Sequence, residues 1–262
     1  MIHHRTIALM IAFVAVALAP EIYGQVGSSQ GPAKAAAANA TPALPSVDKI
    51  LDHYVEAVGG RAAWQKLKSR VSMGTIEVTS ANLGGTVVIH EKAPDKILTI
   101  IIVSGSAFRQ AFDGSVGWAE DPQNGVREQS GAELAEAKRQ ADFYSPLNVK
   151  QHYSKLTVTG KEKVNDHDAY VVEAALPEGG PSDKLYFDSE SGLPVRLVSL
   201  HHSPEGEAQF QEDFSDYRKV DDVILPFQIT QTGGDSGFVV KLDQVRQNVE
   251  LEDSEFAKPA VQ

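Results

Sequence analysis

Side chains able to do chemistry are scattered along this chain, and none falls into a spacing that chemistry requires. Eight histidines and no cysteine occur among the 262 residues. That removes disulfides, thiolate–zinc sites, thiol nucleophiles and a lipidated N-terminal Cys. No His-Glu-x-x-His, P-loop, Gly-x-Gly-x-x-Gly or EF-hand spacing is present. His201 and His202 are neighbours in an expected strand, so they point to opposite faces and are poorly placed to chelate one ion; no metal and no cofactor is expected. Asp188 and Glu190 frame a turn, where carboxylates serve turn geometry and solubility before acid–base catalysis. Ser236 has no histidine within local reach. Gly27-Ser28-Ser29-Gln30-Gly31 matches the nucleophile elbow in letters, yet no strand precedes it and no helix follows. An enzyme built on this chain would need polar groups converging inside it, with His90 or Arg109 facing inward. No residue is assigned a catalytic role.

What remains is apolar excess. Leu98, Ile100, Ile102, Phe112, Trp118, Phe210, Phe214, Phe227 and Phe238 exceed what one simple sheet face needs. They fit two arrangements, a core filled by its own side chains or a sheet face enclosing a cavity for an apolar ligand. Periodicity alone does not separate the two.

The elements that must position these residues are mostly strands. Ser46 is a natural N-cap, followed by Val47, Ile50, Leu51, Tyr54, Val55 and Val58 at helical spacing. Gly59-Gly60 ends that helix, and a short second one, Arg61 to Leu67, carries Trp64. Strands begin near Val71, with a face switch and a β-bulge expected near Gly74-Thr75. Ile97–Val103 is apolar on both faces, so both should be buried, with helices covering one. Phe112-Asp113-Gly114-Ser115-Val116-Gly117-Trp118 reads as a hairpin, Asp-Gly supplying the turn. Ser130-Gly131-Ala132-Glu133 has the letters of a capping box and opens a helix to about Tyr144, with Leu134 and Tyr144 on its apolar stripe and Pro146 stopping it. From Leu156 onward strands and tight turns alternate, and Ala208, Phe210, Glu212 and Phe214 share one strand face. About a dozen short strands imply a large antiparallel meander, too poor in helices for α/β alternation.

The two ends and the charge bound the setting. Arg5 precedes an apolar run from Ile7 to Ala19, too short to span a bilayer but suited to a secretory signal. Residues 1–24 are read as a signal peptide cleaved after Gly24, with Ala19 as the other small-residue site and an uncleaved anchor as the alternative. Residues 25–45, rich in Ala, Gly, Ser and Pro, are read as a disordered linker, and 46–262 as one domain. A periplasmic or secreted location follows. The net charge of −11 and the lack of a basic run argue against nucleic acid.

An ordered set of short stretches resembles the LolA-like outer-membrane lipoprotein-carrier superfamily. They are Ala57-Val58-Gly59-Gly60, Lys92-Ala93-Pro94-Asp95-Lys96, Phe112-Asp113-Gly114 with Trp118, and Tyr186-Phe187-Asp188 before Gly192-Leu193-Pro194-Val195-Arg196. Leu225-Pro226-Phe227, Asn248-Val249 and Phe256-Ala257-Lys258-Pro259 complete the set. The resemblance implies a mainly β (α+β) fold, a curved antiparallel sheet of about 11 strands forming an incomplete barrel, with helices lidding the concave face. It implies a non-catalytic carrier for a lipid, a lipoprotein acyl chain or another hydrophobic ligand, with envelope membrane proteins as possible partners. Trp64, Leu98, Ile100, Ile102, Phe112, Trp118, Leu134, Tyr144, Phe210 and Phe227 are the candidate ligand-binding residues. An envelope scaffold with a filled core, or an enzyme using the same cavity, are the alternatives.

Overall fold

The computed structural model describes residues 43–203, 206–233 and 236–260. The signal-peptide reading, most of the linker and Gly27–Gly31 lie outside them. Helix α1 (Val47–Ala57) begins at Ser46, whose hydroxyl accepts the Lys49 amide at 3.3 Å. After α2 (Arg61–Trp64) come β1 (Ser69–Val78), β2 (Leu83–Lys92), β3 (Lys96–Val103), β4 (Ser106–Phe112), β5 (Gly117–Asp121) and β6 (Gly125–Glu128). Helices α3 (Gly131–Ala141) and α4 (Ser145–His152) follow. The chain then returns through β7 (Lys155–Val164), β8 (His167–Ala175), β9 (Asp183–Asp188), β10 (Pro194–Ser203), β11 (Gly206–Val220), β12 (Val223–Gly233) and β13 (Ser236–Gln247). No helix among the described residues is long and apolar enough to cross a membrane.

All 13 strands join one antiparallel sheet in the order β6-β5-β4-β3-β2-β1-β13-β12-β11-β10-β9-β8-β7. The chain walks outward from β1 to the β6 edge, crosses through α3 and α4, and walks back from the β7 edge until β13 pairs with β1. The sheet is therefore curved but not closed, and the crossing helices link its two edges. The 13 strands exceed the about eleven that the resemblance implies.

Register assigns the faces, since residues paired across strands share one. Ile76, Val87, Val103 and Val240 cluster on one face, joined by partly buried Ile89, Ile101, Ile229 and Phe238. The four helices pack on this same face, here called inner: Ile50 and Leu51 of α1 meet Val172 and Phe187, and Trp64 of α2 meets Val223, Leu225 and Phe227. Leu147 of α4 joins the second of these clusters, and Leu134 of α3 lies over Gly117. Gly59 lets α1 seat on the turn between β11 and β12, because a Cβ there would meet the Asp222 carbonyl oxygen at 2.2 Å.

The opposite, outer face is buried too, by the chain's own end. Leu98 pairs with Ala111 and Ala111 with Trp118, and with Val71 these pack against Leu251 and Phe256 of the C-terminal tail. Trp118, 2% exposed, donates its indole N–H to the Phe256 carbonyl at 2.8 Å. The double burial expected of Ile97–Val103 is met only at Leu98 and Val103; Ile97, Thr99, Ile100 and Ile101 are half-buried, and Ile102 is 44% exposed.

Three local expectations are corrected. β1 does not switch faces: Val71 and Met73 point outward and Ile76 and Val78 inward in unbroken alternation against β2. The irregularity falls instead in β13, where Asp243 is the extra residue between the Met73–Gln244 and Gly74–Leu242 pairs. Ser130 makes no side-chain cap, and the other half of the expected box is absent too, Glu133 pairing instead with Arg127 by two hydrogen bonds of 2.6 and 2.8 Å. The mid-chain helix stops at Ala141, and Pro146 starts α4 rather than ending α3, since proline's missing N–H costs nothing in a first helical turn.

Candidate functional site

The inner face has two ends of different character. One is capped: Trp64, Leu67, Phe143, Val223, Leu225 and Phe227 form a packed cluster beneath α2 and the α3–α4 connection. Arg70 of β1 is buried there at 7% exposure. Its guanidinium lies 5.1 Å from the Trp64 ring and 5.2 Å from the Phe143 ring, pairs with Glu91 at 3.2 Å, and reaches Gln247 at 3.3 Å. A cation stacked between two rings locks this end, because desolvated cation–π contacts are strong. Tyr144 adds its hydroxyl, donated to the Leu67 carbonyl at 2.9 Å.

The other end lies toward the hairpin turns, where Val78, Val103 and Phe238 cluster without any helix residue. There Ile89, Ile101, Ile229 and Phe238 remain only partly covered. Apolar surface left accessible within a curved sheet is unusual for a core and usual for a ligand groove.

Helix α3 runs along the seam between the two sheet halves. On the first half, Gly117 allows close approach; a Cβ there would lie 2.9 Å from Leu134 Cδ1 and 2.4 Å from Gln129 Oε1. On the second half the contact is polar. Glu136 pairs with His201 Nδ1 at 2.8 Å and accepts the His202 backbone N–H at 3.4 Å. Arg139 pairs with Glu178 in the connection between β8 and β9. Beside these contacts lies a cleft of about 390 Å³ lined by Ala132, Ala135, Leu176, Pro181, Leu200 and His202 among others, within the roughly 300–1,000 Å³ of small-molecule sites.

A titratable cluster underlies this seam. Gln231 donates to Glu212 at 2.9 Å, and the Tyr153 hydroxyl to Asp183 at 2.9 Å. Burial raises the Glu212 carboxyl above the usual range, outweighing His201 and Gln231, which lower it. Burial likewise raises Asp183 against the Tyr153 bond. For His201 burial lowers the pKa, but the Glu136 hydrogen bond and the charges of Glu136, Glu212 and Asp183 raise it to a net upward shift. The cluster is acidic, with its imidazole ringed by carboxylates. Among the described residues no group of three or more His, Asp or Glu is placed to hold a metal ion.

Of the ten sequence-derived ligand residues, six lie on the inner side and four do not. Trp64, Tyr144 and Phe227 are in the capped end. Phe112, paired with Ile97 and Gly117, shares the face of Leu134. Phe210 packs against the His201 ring at 5.1 Å. Leu98, Ile100, Ile102 and Trp118 point outward, because Leu98 and Ile100 pair with the outward His90 and Val88 in register. His90 and Arg109 are on the outer face as well: His90 meets Glu255 of the tail at 3.0 Å, and Arg109 pairs with Glu120 at 2.9 Å. Asp113 accepts the Ser115 and Val116 amides at 2.8 and 2.7 Å, which makes it a turn residue. The polar seam was missed from sequence. Its one signal was Glu212, a carboxylate in the otherwise apolar alternation Ala208-Phe210-Phe214.

No protein-family model and no curated protein sequence matches the chain. Solved structures do match. A DUF1329 family protein from Desulfovibrio piger superposes with a TM-score of 0.55 at 15% identity, over 80% of this chain and 97% of that one. A LolA superfamily protein from Nitrosomonas europaea gives 0.52 at 14% identity, over 82% and 99%. A putative outer membrane lipoprotein-sorting protein domain from Vibrio parahaemolyticus gives 0.51 at 15%, over 79% and 94%.

Proposed function

We propose, from the LolA-like fold that these likenesses show, that the chain is an exported, non-catalytic binder and carrier of a lipid or lipoprotein acyl chain. The observation that carries this reading is the partly covered apolar strip Ile89, Ile101, Ile229 and Phe238 inside an unclosed sheet. Acyl chains need area rather than specific polar contacts, each buried CH₂ contributing about 0.8 kcal/mol. The bridging helix supports the same reading: only Ala137 and Ala141 of α3 are buried, so little apolar contact resists its displacement. Trp64, Phe112, Leu134, Tyr144, Phe210 and Phe227 frame the proposed ligand space, and the outward Leu98, Ile100, Ile102 and Trp118 are left out of it. Release from the membrane after signal cleavage near Gly24 fits this role, with envelope proteins as donor or acceptor.

The test is native mass spectrometry of the purified protein, coupled to organic extraction. Copurifying acyl species, or uptake of a fluorescent fatty acid by stripped protein, is expected. A protein that is empty as isolated and also ignores the fluorescent fatty acid contradicts the reading and favours a scaffold with a filled interior.

A further inference from the structure

We propose that α3 is a pH-gated lid, held shut by one carboxylate, Glu136, that grips β10 at both His201 and His202. The strand it grips is incomplete on that side. β9 pairs with β10 only from Pro194 to Val198, so residues 199–203 of β10 have no strand partner there. α3 occupies that place. One oxygen of Glu136 meets the His201 ring at 2.8 Å and the other faces the His202 backbone N–H at 3.4 Å, the group a missing strand would have satisfied. A second pair, Arg139 with Glu178, ties the same helix to the connection between β8 and β9. The 390 Å³ cleft lies beside this contact, lined from β10 by Leu200 and His202. Charge, with little apolar area, therefore decides whether the helix stays down.

The groups facing His201 set the sign. Glu136 approaches from α3, Asp183 from β9 and Glu212 from β11; Arg139 of α3 acts on Asp183, and Glu178, in the β8–β9 connection, acts on His202. Tyr153 hydrogen-bonds Asp183, and His202, on the same strand, pairs with Glu207 at 3.3 Å. With His201 protonated, one cation sits among the carboxylates of Glu136, Asp183 and Glu212. Loss of that proton leaves these carboxylates facing one another, with Arg139, paired to Glu178, the remaining cation beside Asp183. Like charges in a shielded site repel strongly. The helix then lifts from β10 while Leu134 and Gly117 keep it attached to the first sheet half. Histidine is the side chain whose ordinary titration lies nearest the physiological range.

The chain has no cysteine, so labels can be placed without background. Exposed positions on the lid and on β11 are supplied by Lys138→Cys and Gln209→Cys, each carrying a nitroxide. Pulsed electron–electron distance measurement is made on delipidated protein at about pH 6 and about pH 8.5, below and above the ordinary imidazole value. One short distance is expected in acid, with a longer population appearing at the higher pH. In His201→Gln the longer population is expected at both values, and in Glu136→Gln the pH dependence is lost. Circular dichroism confirms that each variant is folded. An unchanged distribution in the labelled parent overturns the proposal without relying on any substitution in the cluster. So does a pH response that survives His201→Gln. Because no ligand is present, the outcome is independent of whether the protein carries lipid.

Discussion

Ile101 and Ile102 are adjacent, chemically identical and opposed in the sheet. Ile101 pairs with Val87 and belongs to the inner cluster, whereas Ile102 pairs with Thr86 and is 44% exposed outward. Residue-scale consequences follow from such placement. Trp118→Phe keeps an aromatic ring but removes the indole N–H, leaving the Phe256 carbonyl unsatisfied, which costs about 1–3 kcal/mol. Thermal melting should fall by several degrees while fatty-acid uptake is unchanged, because the residue faces away from the proposed site. The titratable seam makes a second residue-scale prediction. His201 contributes stability that is complete below the ordinary imidazole range and is lost as pH rises through its elevated native value. Glu212 and Asp183 are also elevated, so the folded protein keeps protons that the unfolded chain has released, and rising pH again costs stability. Asp142 and Asp188 act the other way. Burial alone would raise them, but hydrogen bonds from His152 and Asn148, and from Ser191, hold them below the usual range. Their contribution is lost as pH falls through their native values. The melting temperature should therefore rise from about pH 8 to about pH 6 and fall again below about pH 4. His201→Gln should flatten the upper limb only.

At the scale of elements, the contact between α3 and β5 depends on a missing side chain. Gly117→Val places methyl groups where Leu134 and Gln129 now sit, less than 3 Å from a Cβ at that position. The Leu134 methyl and the buried Gln129, whose backbone N–H donates to the Gly117 carbonyl, must both give way, which loosens the seat of α3 on β5. Faster hydrogen exchange confined to residues 131–141 is expected, with β1–β3 unaffected; uniform acceleration through the sheet would show that the glycine serves overall stability instead. How legible this architecture was differs by element. The strands and α1 were readable because period-two and helical patterns survive any packing. Face assignment was not. Around Leu98, Ile100 and Trp118 both faces are apolar, since the C-terminal tail covers the outer one, and an apolar run cannot report which side faces a ligand. The same double burial imitates a phase shift in β1: Val71 and Met73 pack outward and Ile76 and Val78 inward. The capping-box letters at Ser130–Glu133 misled because Glu133 has a stronger partner in Arg127 of β6, which a four-residue pattern does not include.

At the scale of the whole molecule, the topology places β1 and β13 side by side mid-sheet and leaves the edges β6 and β7 for α3 and α4 to join. A sheet built this way can widen at its seam without breaking a ladder, and an apolar lining can be exposed there and covered again. The central claim is that this inner lining, and not the apolar outer patch, takes up a hydrophobic ligand. Titration of a fluorescent fatty acid into Ile101→Asp and Ile102→Asp, both first shown to be folded by circular dichroism, tests it most directly. A charge at Ile101 should weaken uptake at least tenfold, because it puts an unpaired carboxylate in the apolar strip, while a charge at the exposed Ile102 should leave uptake at the parent level. Equal uptake by both variants, or selective loss in Ile102→Asp, would contradict the account.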